Sequence, residues 1–247
     1  MTSYRELEPL AQQTSPAAVS DVLLRMGLSY QHDMHGVFQQ TQGLPMFGQA
    51  VTLRSLPTRP DMIEDLRTEA RGDRLQMPFD KAMEATVEGK VLVIDSSGRS
   101  EVTVGGGTKF SRLMATGAAG LVTDGSIRDK EEVTHYGYSV YSHGFSPRSG
   151  TTHTLFPHDF NLPINCGGAL VRPGDYLIGD ETGLVVIPEN EASEVLEAAV
   201  LKEQLDAFAA KKMAENDAPA GRYFPPDEET ISEFAASIGV SRADLPF

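Results

Sequence analysis

The sequence has no tryptophan and only one cysteine, Cys166, in 247 residues. A single thiol excludes an intramolecular disulfide and a thiolate zinc cluster, and it fits a reducing compartment. Cations are scarce too: 21 Lys+Arg stand against 35 Asp+Glu, a formal net charge of −14. Gripping a nucleic-acid backbone needs a basic surface, and the one dense basic pair, Lys211-Lys212, sits among acids, so no nucleic-acid partner is expected. No apolar run approaches the roughly 18 residues of a membrane span, and Met1-Thr2-Ser3-Tyr4-Arg5-Glu6 lacks the apolar core of a signal peptide. A cytoplasmic protein without a membrane partner is the expectation. There is no G-x-S-x-G elbow for Ser/His/Asp catalysis and no H-x-x-x-H pair for a helix-borne zinc site.

What is present reads as a globular α/β chain, 40% hydrophobic and 23% charged, long enough for one large domain or two small ones. A helical period runs from Thr14 to Met26, with Ser15 as N-cap, Pro16 at the first helical position and Gly27 as its stop. Gln49 to Leu56 reads as a strand, and Met62, Leu66 and Ala70 place one or two surface helices between Asp61 and Glu88. Val91 to Asp95 is a short apolar run that fits a buried strand. The triplet Gly105-Gly106-Gly107 then opens a helix through Lys109, Leu113 and Met114, and Ala118 to Thr123 forms a second buried strand, completing a βαβ pattern. An acidic turn at Lys130-Glu131-Glu132 follows, and Ser139 to Thr154 has the histidine, glycine and hydroxyl mixture of an active-site loop. A strand pair is expected at Tyr176 to Ile178 and Leu184 to Ile187. Asn190 would cap a long helix through Val195, Leu196, Ala199, Leu205 and Phe208. Residues 1–218 are therefore expected as one domain, and 219–247 as a tail with a short helix from Glu228 to Ile238.

Two segments carry chemistry. Gly105-Gly106-Gly107-Thr108-Lys109 is not a nucleotide-hydrolysing P-loop, because Thr108 intervenes between the last glycine and the lysine. Its glycines still allow successive amides to converge at a helix N-terminus, where they either bind an anion such as a carboxylate or simply make a tight connection. Arg128-Asp129 lies just past a strand end, where open α/β sheets bind ligands. Its guanidinium fork suits a carboxylate and its carboxylate suits a hard cation, although the same dipeptide also makes ordinary surface ion pairs. Lys90 and Lys109 are the Schiff-base candidates if a desolvated site surrounds them. The histidines (His32, His35, His135, His143, His153, His158) read as surface or capping groups, with a zinc site as the alternative.

Several separated motifs agree on one family. Pro16-Ala17-Ala18-Val19-Ser20-Asp21, Gly48-Gln49-Ala50-Val51-Thr52 and Gly117 through Asp129 stand in its order, followed by Asn161-Leu162-Pro163-Ile164, Arg172 through Asp180 and Gly183 through Pro188. Together they resemble the regulators of ribonuclease E activity (regulator A-like) and the metal-dependent 4-hydroxy-4-methyl-2-oxoglutarate aldolases, also called demethylmenaquinone methyltransferase-like. The resemblance implies a swivelling β/β/α sandwich with N- and C-terminal helices, assembled as a homotrimer or homohexamer. In the aldolase branch it implies a Mg²⁺ (or Mn²⁺) site and lyase chemistry on 2-keto acids through a pyruvate enolate, either aldol cleavage or oxaloacetate decarboxylation. By that resemblance Arg128 binds the pyruvyl moiety, Asp129 ligates the metal, and backbone donors at Gly106, Gly107, Thr108 and Lys109 hold the substrate carboxylate. Glu203, and more weakly Asp206, would reach a neighbouring subunit's site from the C-terminal helix. The aldolases place a further acid before the Arg-Asp pair, with twenty residues between; here residues 108–127 separate Gly107 from Arg128, so that position carries no carboxylate. The alternative function is a non-catalytic, protein-binding regulator of ribonuclease type, against which Asp129 argues.

Overall fold

The computed structural model describes residues 3–28, 32–148 and 153–246. Two helices open the chain. α1 (Tyr4–Ala11), absent from the sequence reading, starts where Glu6 accepts the Ser3 amide at 2.7 Å. In α2 (Pro16–Arg25) the expected cap is present, the Ser15 hydroxyl accepting the Ala18 amide at 3.1 Å.

The central sheet is built from β1 (Phe38–Gln39), β2 (Met46–Pro57), β3 (Lys90–Asp95), β4 (Gly120–Thr123), β6 (Ser139–Ser142), β11 (Tyr176–Asp180) and β12 (Gly183–Ile187), in the order β1-β6-β4-β3-β2-β11-β12. Strands β2, β3, β4 and β6 run parallel, as the βαβ reading requires, while β11 and β12 form the expected antiparallel pair. β8 (Leu155–Phe160) adds to the far half of β2. Between these lie the helices α3 (Pro60–Glu69), α4 (Pro78–Ala85), α5 (Gly107–Thr116) and the short α6 (Lys130–Thr134), the strand pair β5 (Ser126–Ile127) and β7 (Gly144–Phe145), and the hairpin β9 (Ile164–Cys166) and β10 (Ala169–Val171). The chain ends with α7 (Ala192–Glu215) and α8 (Glu228–Ile238).

Side-chain alternation divides the core. Along β3, Val91 and Val93 face the β9–β10 hairpin, packing with Ile164, Cys166, Ala169 and Val171. Leu92 and Ile94 face the opposite way, against Ala82 and Met83 of α4 and Phe110 and Leu113 of α5. A third cluster closes α1, α2 and α7 over β11 and β12. These layers are the β/β/α sandwich, with helices from both termini packed on one flank. Leu205 of α7 packs with Ile231, Phe234 and Leu245, so the tail folds back on the long helix.

Three local expectations differ from the structure. Ser139 to Ser142 is a fully buried strand, because its hydroxyls find internal acceptors: Ser139 Oγ donates to the Leu44 carbonyl at 2.7 Å and Tyr141 Oη to that of Asp180 at 2.9 Å. The later part of that segment contains β7, and residues 149–152 lie outside the described residues. The acidic turn is the helix α6, and Asn190 sits inside a 3₁₀ turn that begins after Pro188 and delays α7 to Ala192.

α5 ends at Gly117, whose φ of 71° is the left-handed value a helix C-terminus uses. A Cβ there would meet nothing closer than 4.0 Å, so the cost of Gly117→Ala is purely conformational. The substitution is expected to lower unfolding free energy by about 1 kcal/mol, read as a shifted denaturation midpoint at unchanged m-value. An unshifted midpoint would show that the left-handed cap contributes nothing.

Candidate active site

Parallel strands β3 and β4 end side by side, and the loops leaving their carboxyl ends form the site. Two carboxylates buried at those ends, Asp95 and Asp124, fix the first loop. Asp124 accepts the Ser96 and Gly98 amides at 2.6 and 2.8 Å, and Asp95 accepts the Ser97 amide at 2.6 Å. Burial, and after it the charge of Asp124, pushes the Asp95 carboxyl above the ordinary carboxylate range. Downstream, the Gly105 carbonyl accepts the Arg128 amide at 2.9 Å, which ties the glycine loop to the Arg-Asp segment.

Arg128 and Asp129 therefore stand against the N-terminus of α5. Asp129 adopts φ 58°, a left-handed conformation that aspartate tolerates better than most side chains, and its Oδ2 accepts the Gly107 amide at 2.9 Å. Its Oδ1 has no hydrogen bond among the described residues. Arg128 is half-buried and, among the described residues, its guanidinium has no carboxylate partner. It lines a cleft of about 300 Å³ with Asp129, Phe145, Ser146 and Pro147. In a chain of net charge −14, an arginine left without an acid at the mouth of a cleft is a ready carboxylate receptor.

The glycines are required by close approach. A Cβ at Gly106 would lie 2.3 Å from Asp129 Oδ2 and 2.9 Å from Arg128 Cβ. At Gly107 it would lie 1.7 Å from Glu132 Oε2. The carboxylate of Glu132 thus occupies the space that a side chain at 107 would fill. Glu132 was not among the residues expected from sequence as site groups; it stands in α6, whose N-cap is Asp129. Had the acidic turn been read as a helix, Glu132 would have stood in its first turn, next after the Arg-Asp pair. Tyr136 Oη approaches Glu132 Oε2 at 3.5 Å, and burial, followed by the charges of Glu132 and Asp129, raises the phenol's pKa.

The remaining expected residues are distributed as follows. The Gly107 amide is committed to Asp129, which leaves the Thr108 and Lys109 amides as first-turn donors without intrahelical acceptors. The Lys109 ammonium points away from Glu132, lying 4.2 Å from the Phe79 ring centroid, and desolvation is the main cause of its lowered pKa. Lys90 Nζ donates to Gln49 Oε1 at 2.5 Å. Glu203 accepts the Ser15 hydroxyl of its own chain, and Asp206 is paired with Lys202, which also binds Asp21 at 3.0 Å. His35 lies 3.2 Å from Asp33, and His143 Nδ1 lies 3.1 Å from the Gly36 carbonyl.

Among the described residues no group of three or more His, Cys, Asp or Glu side chains converges. Zinc, which takes three or four such ligands, does not suit the donors present. A Mg²⁺ or Mn²⁺ ion keeps several waters and needs only one or two carboxylates, a demand that the chemistry of Asp129 and Glu132, each beside Gly107, is suited to meet.

Known proteins resemble this chain in sequence and in fold. Residues 16–186 match the RraA-like family described as Aldolase/RraA. A Halalkalibacterium halodurans relative named "Putative 4-hydroxy-4-methyl-2-oxoglutarate aldolase" is 30% identical over 67% of this chain and 78% of its own. A 4-hydroxy-4-methyl-2-oxoglutarate aldolase of Thermus thermophilus is 28% identical over 44% of this chain and 65% of its own, and further curated relatives are matched over 28% to 62% of their own length. Among solved structures, an RNase ES inhibitor RraA family member of Streptomyces coelicolor superposes with a TM-score of 0.71 at 26% identity, covering 84% of this chain and 98% of its own. The chain belongs to the Aldolase/RraA family.

Proposed function

We propose that this protein is a divalent-metal-dependent lyase acting on 2-keto acids, by aldol cleavage of a 4-hydroxy-2-oxo acid, decarboxylation of oxaloacetate, or both. The observation that carries the reading is the Glu132 carboxylate beside Gly107, the residue whose amide Asp129 accepts, in a loop whose Gly105 carbonyl accepts the Arg128 amide. Asp129, with Glu132 beside it, would hold Mg²⁺ or Mn²⁺. When bound, such an ion supplies Lewis-acid polarisation of the 2-keto carbonyl.

The chain's own groups do the rest. Arg128 takes the substrate carboxylate as a planar fork and fixes its orientation. The Thr108 and Lys109 amides, at the positive end of α5, add donors for the negative charge that grows as the C–C bond breaks. In aldol cleavage the C4 hydroxyl proton goes to the Glu132 carboxylate, to whose Oε2 the Tyr136 hydroxyl donates at 3.5 Å. Both reactions leave pyruvate as its enolate, so one arrangement serves both.

The test is pyruvate release from oxaloacetate and from 4-hydroxy-4-methyl-2-oxoglutarate by purified protein. Activity should fall to background with a chelator and return with Mg²⁺ or Mn²⁺. No pyruvate from either substrate in the presence of both ions would remove the lyase reading and favour the ribonuclease-regulator alternative, which rests on the likeness to the Streptomyces protein.

A further inference from the structure

A second cavity, of about 580 Å³, lies between the segment carrying α3 and α4 on one side and α5 and β8 on the other. Its volume is within the roughly 300–1,000 Å³ of small-molecule sites. The floor is apolar and aromatic, with Phe79, Met77, Met83 and Phe156. None of the groups proposed for lyase chemistry lines it except Lys109, whose side chain leaves the α5 N-terminus in this direction.

The charges around the cavity are unequally satisfied. Asp73 accepts the Leu75 amide at 2.9 Å, and Glu84 is held by Arg112 at 2.8 and 2.5 Å. Arg67 has Glu64 at 3.6 Å. That leaves Arg74 and Lys109, neither of which is ion-paired or hydrogen-bonded to a carboxylate among the described residues. Asp80 acts on Lys109 only through space, and Arg74 lowers the Lys109 pKa, so the two cations share one neighbourhood. Two cations over an aromatic floor, with Asp80 as a neighbouring carboxylate that makes no direct ion pair with either among the described residues, leave donors free for an incoming anion. α3, which buries none of its residues, reaches the cavity with Arg67, and its Met62 and Leu66 line a separate space of about 550 Å³.

We propose that this cavity is a binding site for a small organic monoanion with an aromatic body, its charge taken by Arg74 and Lys109 and its ring set among Phe79, Phe156 and Met77. Cations beside an aromatic face bind such amphiphiles by ion pairing and stacking together.

The probe is 8-anilinonaphthalene-1-sulfonate, whose fluorescence reports an apolar site. Saturable binding with one site per chain is expected. Arg74→Gln, at an exposed residue outside any helix core, should weaken it about tenfold, the order expected for one charge-assisted contact. Phe79→Ala should weaken it comparably, and naphthalene-1-carboxylate should displace the probe where naphthalene-1-methanol does not. Arg128→Lys should leave probe binding unchanged, so loss of lyase activity and loss of this site are read separately. No saturable binding by the wild-type protein, or binding unaltered by Arg74→Gln, would overturn the proposal.

Discussion

Replacing Arg128 with lysine is expected to lower kcat/KM on oxaloacetate about a hundredfold while the fold and the affinity for Mg²⁺ stay near wild type. The charge survives this substitution, so any loss reports geometry. Arginine offers a planar pair of donors matched to a carboxylate, whereas an ammonium is a point charge on a flexible stem. Misplacing a reacting group by about 1 Å costs on the order of a hundredfold. Arg128 suits this test because its guanidinium has no carboxylate partner among the described residues, so the substitution breaks no internal ion pair. Its amide bond to the Gly105 carbonyl at 2.9 Å, which holds the two loops together, is a backbone contact and persists. Turnover within a few-fold of wild type in Arg128→Lys, at equal protein stability, would show that no bidentate carboxylate clamp operates here. Calorimetric titration of Mg²⁺ into the same variant checks the second half of the expectation.

How much of this was legible beforehand depends on the kind of signal each element carries. α2 was readable because Ser15, Pro16 and Gly27 mark its ends by local chemistry. The strands β3 and β4 were readable because apolar runs ended by aspartate and glycine have few other uses in a soluble chain. β6 was not, since Ser139, Tyr141 and Ser142 look polar in sequence and become core-compatible only through acceptors such as Leu44 and Asp180, distant in the chain. β8, with Pro157, His158 and Asp159 in it, reads as a loop until its edge pairing with β2 is known. The site divides the same way. Arg128 and Asp129 announce themselves as a pair, but that Glu132 stands against Gly107 is a fact of tertiary approach, with residues 108–131 between the two in the chain. The side-chain direction of Lys109, away from that site and over Phe79, was likewise set by packing that no spacing reveals.

Exchanging the positions of glycine and acid should move the carboxylate without losing the chemistry. Gly107 has a φ outside the left-handed region, so its backbone does not demand glycine; the nearest obstacle to a side chain is the Glu132 side chain, whose Oε2 is 1.7 Å and whose Cβ is 3.3 Å from where a Cβ would be. Gly107→Asp alone should therefore be damaging, because it forces two carboxylates into one space and displaces Glu132. Glu132→Ala alone removes the acid and is expected to lower Mg²⁺ affinity and kcat/KM by about ten- to a hundredfold, the range for groups that support a metal site. The double variant Gly107→Asp/Glu132→Ala returns a carboxylate from the first turn of α5, a position where the helix dipole favours aspartate, and vacates the space it needs. Its activity and Mg²⁺ affinity should exceed those of Glu132→Ala severalfold, a non-additive gain that two independent lesions cannot produce. Circular dichroism and the thermal midpoint keep misfolding separate from site loss. If Glu132→Ala retains wild-type metal affinity and turnover, or if the double variant is no better than the worse single one, Glu132 does not stand in for an acid at 107, and the lyase site must take its second carboxylate from elsewhere.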